Sequence, residues 1–301
     1  LEKKKLSKVI QLPIDEIIYA SYHPISTSRL IATSYPYAQD IYNLDLDTMS
    51  LDSLINKPSI EYGAVASKEY VYFLTVLGSG EVIRRMNISS GEVRDVQLPI
   101  TDYRALKYNE VTDTLLIRYQ DKIELYDGDF MLLDTIKVEG SLISASFSQS
   151  GNVAYVTVDK NQVDNKAFLY SREFKMTSLL PVSNAVKVRY INDEELAFLS
   201  SDDTLQYFDI NLGQVTTLIE LPEKNRDHLL TVVNDTIVYS CGEVIFSINK
   251  EEKVLSEIFR MNGMVISDIN YSPSLEKLVL STISTENNKL LVLEGNLQPV
   301  L

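Results

Sequence analysis

The chain has 301 residues, 45% of them apolar, and a formal net charge of −14, which argues against a phosphate-backbone partner because nucleic-acid affinity rests on clustered Lys and Arg. Cys241 is its one cysteine, which excludes an intrachain disulfide and a thiolate metal cluster. No run approaches the roughly 18 uninterrupted apolar residues that a membrane span needs, so no span is expected.

The segment 6–12 (LSKVIQL), ahead of Pro13, reads as an outermost strand, because it resembles VQLP at 96–99 and LIELP at 218–222; residues 2–5 read as a flexible leader. Short runs with a polar entry then small or apolar residues follow at 17–22, 62–67, 103–108, 142–147, 185–190, 229–233 and 265–271. Each is followed by a run rich in Val, Ile, Leu, Tyr and Thr, at 29–34, 70–76, 114–118, 153–158, 195–199, 236–240 and 277–282, a composition suited to strands buried on both faces. The clearest repeat is 185–222, AVKVRYINDEELAFLSSDDTLQYFDINLGQVTTLIELP, whose four runs are separated by Asn-Asp-Glu, Ser-Ser-Asp-Asp and Asn-Leu-Gly turns. No stretch carries a convincing 3.6-residue apolar period, so helix is expected to be nearly absent.

The turn after the third run marks the repeat at Asp45, Asn87, Asp127, Ser171, Asp209, Asn249 and Glu294, with spacings of 38 to 45 residues. Periods of this size mean repeat architectures. They predict one all-β domain over 1–301, a seven-bladed β-propeller of four-stranded antiparallel blades at about 14–57, 58–99, 100–139, 140–181, 182–222, 223–260 and 261–301. The last repeat shows three strands and then only 297–301, so segment 6–12 is expected to complete it and close the ring, removing an exposed edge.

Turns at Tyr22-His23-Pro24, at 147–152 (FSQSGN) and at 271–274 (YSPS) join first runs to second runs. With them the chain resembles the divergent propeller repeats of the WD40-like and TolB-like (PD40) kind, which use a Ser-Pro-Asp-Gly-type turn there. There is no Trp-Asp dipeptide and no Gly-His signature, so the hydrogen-bonding tetrad of the WD40 repeat is not carried over. The resemblance implies a platform for proteins, peptides, sugars or small molecules, and no particular reaction.

His23 and His228 are the only histidines, and the repeat puts them on opposite faces, which disfavours a shared metal or acid-base site. Glu16, Glu61, Asp102, Asp227 and Asp268 precede or open first strands and form the one set that could hold a cation at the channel mouth, although acidic loop ends are the simpler reading. Gly78-Ser79-Gly80 lacks the strand-to-helix turn of a nucleophile elbow. No catalytic residue, metal or cofactor is therefore expected.

The ligand face is expected where connections enter first strands and where second strands join third strands, since those loops crowd the channel mouth on rigid supports. It would carry Tyr35, Tyr37, Tyr62, Tyr103, Arg104, Tyr119, Asp121, Asp202, Asp203, Arg226 and His228, a set rich in the Tyr and Arg that dominate interface hot spots. The reading is a non-enzymatic, monomeric propeller that binds a protein or peptide partner. The alternative is a channel-mouth enzyme, lactonase- or hydrolase-like, or a carbohydrate-binding module. The chain begins at Leu1, as a trimmed or mature fragment would, and scarce cysteine with no tryptophan favours an extracytoplasmic bacterial setting, exported or surface-anchored, over a cytoplasmic one.

Overall fold

A computed structural model describes residues 6–10, 17–22, 29–35, 40–48, 50–55, 59–77, 80–100, 103–159, 164–221, 228–272, 277–283 and 289–294. Every element among them is a strand. Strand β1 (Leu6–Ile10) precedes the first blade, β2 (Ile17–Tyr22), β3 (Arg29–Tyr35), β4 (Ile41–Asp45) and β5 (Ser50–Ile55). The second blade is β6 (Ile60–Ala66), β7 (Tyr70–Leu77), β8 (Gly80–Asn87) and β9 (Val93–Ile100). The third is β10 (Tyr103–Asn109), β11 (Thr114–Tyr119), β12 (Lys122–Asp127) and β13 (Leu132–Lys137). The fourth comprises β14 (Ser141–Phe147), β15 (Val153–Val158), β16 (Asn165–Ser171) and β17 (Met176–Ser183). The fifth comprises β18 (Ala185–Asn192), β19 (Glu195–Ser200), β20 (Thr204–Asp209) and β21 (Gln214–Glu220). The sixth comprises β22 (His228–Val233), β23 (Thr236–Cys241), β24 (Val244–Asn249) and β25 (Val254–Arg260).

Where the turn markers read as seven blades, the structure holds six blades built from consecutive strands and one composite sheet, ordered β1-β28-β27-β26. There β26 (Val265–Ser272), β27 (Lys277–Ile283) and β28 (Lys289–Glu294) come from the last repeat. Strand β1 pairs antiparallel with β28, placing Lys8 opposite Val292 and Ile10 opposite Leu290. The composite sheet lies between neighbours on both sides, β26 packing on β22 and β2 packing on β27.

The core sits between blades. In β11, Leu115 and Ile117 point into the cluster shared with the second blade, with Tyr72, Leu74 and Ile83. Leu116 points the other way, into the cluster with Leu142, Val153 and Tyr155 of the fourth blade. The two-residue side-chain period of a strand thus divides an unbroken apolar run between two cores. The same division in β19 sends Leu196 and Phe198 toward the fourth blade and Ala197 and Leu199 toward the sixth.

Expected strand limits hold to within a residue or two, and the shift at β6 has a local cause. Ile60 already pairs with Val76, and the register with β7 then slips between Tyr62 and Val65, where Gly63 adopts φ +64° and the strand carries a bulge. Residues 2–5, 297–301 and 78–79 fall outside the described residues.

Candidate functional site

Connections into first strands and the loops between second and third strands are tied together at one end of the ring. Leu142 N donates to Gln120 O at 2.8 Å and Val138 N to Asp121 O at 3.1 Å. The fifth blade repeats this with Ser201 N to Asn184 O and Leu221 N to Asp203 O, both 2.8 Å, and the sixth with Ile266 N to Gly242 O at 2.8 Å. These bonds use main-chain groups that a loop would otherwise leave to water, and they hold the loops rigid.

On this end Asp121 and Asp202 are exposed, and Thr204 Oγ1 donates to Asp202 Oδ1 at 2.8 Å. Asp203 and His228 meet, with His228 Nε2 3.2 Å from Asp203 Oδ1. The other ring nitrogen, Nδ1, lies 2.6 Å from the hydroxyl of Tyr239. A proton on Nε2 satisfies both contacts, Asp203 accepting from the ring and Nδ1 accepting from the phenol. His228 is only 6% exposed, so its expected placement on the rim is corrected to a buried one. It reads as a structural link between the fifth and sixth blades.

Tyr119 is corrected in the same way: it is 4% exposed and belongs to the core shared by the second and third blades. Burial and the neighbouring Glu124 carboxylate push its phenol up, and Lys122 Nζ lies 4.5 Å from its ring centroid. Tyr62 is half-buried and donates to Glu81 Oε1 at 2.6 Å. Tyr35 ends β3 opposite Ile17, Tyr103 opens β10 opposite Tyr119, and Arg104 follows it at a register shift. Tyr37, Arg226, His23, Glu16, Asp102 and Asp227 lie outside the described residues.

Of the acidic set, Glu61 is fully buried on β6, accepting from the Ser59 hydroxyl. Asp268, on β26, has its carboxyl pushed up by burial, against the pull of the Ile269 backbone, Arg189, Asn270 and Lys107. Asn270 Nδ2 donates to it at 2.6 Å. Among the described residues no group of three or more His, Cys, Asp or Glu is arranged to hold a metal ion.

Three cations, Lys107 on β10, Arg118 on β11 and Arg189 on β18, stand close enough to interact with one another, and Asp268 interacts with two of them. Lys107 Nζ donates to Ala145 O at 2.7 Å, and Arg118 Nη1 to Ile143 O at 3.0 Å, two acceptors alternating along β14. Arg189 Nη1 donates to Val188 O at 2.8 Å. Burial, with Arg189 and Arg118 nearby, holds the Lys107 ammonium well below its ordinary range, and Asp268 opposes that shift. Burial likewise lowers Arg189. The signal in the sequence was the basic residue inside an inner strand, Lys107 in YRALKYN and Arg189 in AVKVRYIN, which the acidic net charge obscured.

No known family's sequence profile matches the chain, and no curated protein does. Among solved structures it is similar to "Structure of U3-55K", a WD40 protein, with a TM-score of 0.73 and 9% identity over 96% of this chain and 98% of that one. No helix among the described residues is long and apolar enough to cross a membrane. Strand order, cores shared between blades and this likeness agree that the chain folds as an all-β propeller of four-stranded antiparallel blades.

Proposed function

We propose that the protein is a non-enzymatic platform that binds a protein or peptide on the end of the ring carrying Asp121, Asp202 and Asp203. The observation that carries this reading is the set of main-chain bonds tying those loops to the connections into the first strands, which presents polar groups on a rigid support. The WD40 neighbour, as a fold, favours the same use. On this reading Tyr35, Tyr37, Tyr103, Arg104 and Arg226 join the acidic loops in the contact surface, and the composite sheet acts as a seventh blade within a single domain. The test is capture of a partner from the native host by the full chain, followed by the triple variant Tyr37→Ala, Tyr103→Ala, Arg104→Ala. Binding should weaken by tenfold or more, since hot-spot truncations cost about 2 kcal/mol or more each. Full binding by the triple variant, with loss instead on altering the opposite end, would place the partner elsewhere.

A further inference from the structure

The opposite end of the second blade holds a separate polar cavity. The turn from β6 to β7 and the turn from β8 to β9 meet there, joined by Ile88 N donating to Glu69 O at 2.9 Å. Between them lies a cavity of about 320 Å³ lined by Tyr70, Arg85, Asn87, Ser90, Glu92 and Arg94, a size within the usual range of small-molecule pockets. Arg85 and Arg94 stand directly opposite one another on β8 and β9. Like charges in that position destabilise a sheet, so the pairing calls for a compensating partner.

Arg94 has one. Its Nε and Nη2 donate to the two carboxylate oxygens of Glu92 at 3.0 and 3.1 Å. Arg85 has weaker ones: its guanidinium lies 4.7 Å from the Tyr70 ring centroid and interacts with the Tyr72 hydroxyl, and it forms no ion pair with a carboxylate among the described residues. Its Nη1 makes no hydrogen bond there either, and a buried donor left unmade is a departure that asks for an explanation. Asn87 turns its Oδ1 to the backbone N–H groups of Ser89 and Ser90, at 3.0 and 2.9 Å, which leaves the amide nitrogen as its donor toward the cavity. The lining therefore offers two guanidinium forks and an amide, against one resident carboxylate.

We propose that this cavity binds a small molecule through a phosphate or carboxylate group, held between Arg85 and Arg94, with Glu92 as the intramolecular carboxylate that the ligand displaces from Arg94. Arginine forks match the oxygens of both groups. The site is independent of the platform reading, because it lies at the other end of the blade.

The experiment titrates the full chain with inorganic phosphate and, separately, acetate, at ionic strength fixed with sodium chloride, reading heat and the Nε–H resonances of arginine by NMR. Wild type should bind one phosphate, with the Arg85 resonance moving, and acetate more weakly. Arg85→Met should weaken binding at least tenfold, and Arg85→Lys, which keeps the charge, should still weaken it severalfold. Glu92→Gln should tighten binding severalfold, because it frees the Arg94 fork. Asp95→Asn makes the same charge change beside Arg84, to which Asp95 is bonded at 2.6 Å, and should leave binding unchanged. Two results would overturn the proposal: neither anion binding to wild type or Glu92→Gln, or Asp95→Asn tightening binding as much as Glu92→Gln, which would mean a general charge effect.

Discussion

The hydroxyl of Tyr239 is fully buried and donates to His228 Nδ1, whose ring is in turn held by Asp203. Tyr239→Phe keeps the ring and its packing in the core between the fifth and sixth blades, and removes only the donor. An unmade buried hydrogen bond costs about 1–3 kcal/mol, so the urea midpoint should fall accordingly with an unchanged slope. Two glycines make a sharper contrast. A Cβ on Gly140, at φ +87°, would lie 2.2 Å from Val158 O, a backbone atom. One on Gly213, at φ +65°, meets nothing within 4 Å. Gly213→Ala should cost about 1 kcal/mol for the left-handed conformation alone, whereas Gly140→Ala should cost more than that, because a strand has to move. Equal melting temperatures for the two variants would show that backbone conformation, and not the clash, sets the cost.

At the scale of elements, a second strand carries two cores. Leu116 is completely buried and faces the fourth blade while both its neighbours face the second. Leu116→Ala should cost about 2–5 kcal/mol, as buried Leu truncations do, and thermal unfolding of the variant is the check. The composite sheet makes a different demand, because its outer strand comes from the far end of the chain. Removing residues 1–12 strips β1 from β28 and exposes the edge through Leu290–Leu293. Several hydrogen bonds at about 1 kcal/mol each are lost, so the melting temperature should drop sharply. A truncated protein that melts with the full chain would show that β1 adds no stability.

Across the whole molecule, carboxylates stitch neighbouring blades. Glu195 accepts from Lys250 Nζ at 2.6 and 2.8 Å, joining the fifth and sixth blades. Asp193 accepts from Ser150 N at 2.9 Å, joining the fourth and fifth. Asp134 accepts from the Tyr170 hydroxyl and lies 3.6 Å from Lys175 Nζ, joining the third and fourth. Burial pushes all three carboxyls up, but the hydrogen bonds outweigh it and hold each below its ordinary value of 4.5 for Glu or 3.8 for Asp. A depressed folded pKa contributes stability that is present above the unfolded value and lost as pH falls through the folded one. Asp268, pushed up by burial, contributes with the opposite sign. The three depressed carboxyls should therefore make stability decline below about pH 4, with Glu195→Gln flattening part of that decline. Chemical denaturation at stepped pH measures it, and a Glu195→Gln curve parallel to wild type would remove this linkage from the explanation.

The sequence by itself determined the strands, their order within each repeat and the interblade character of the core. Those follow from local alternation and from turn residues, and 153–158 was legible to the residue because Val153–Val158 is apolar, β-branched and bounded by turns. Tertiary structure alone decided which polar residues are presented. Tyr119 and His228 read as exposed loop ends, yet neighbouring blades cover them, and no one-dimensional pattern records what another blade covers. The buried cations Lys107, Arg118 and Arg189 were hidden behind the net charge of −14, because net charge sums the whole chain and records no position. Arg85 and Arg94 are nine residues apart in sequence, and only the register of β8 on β9 sets them face to face beside a cavity.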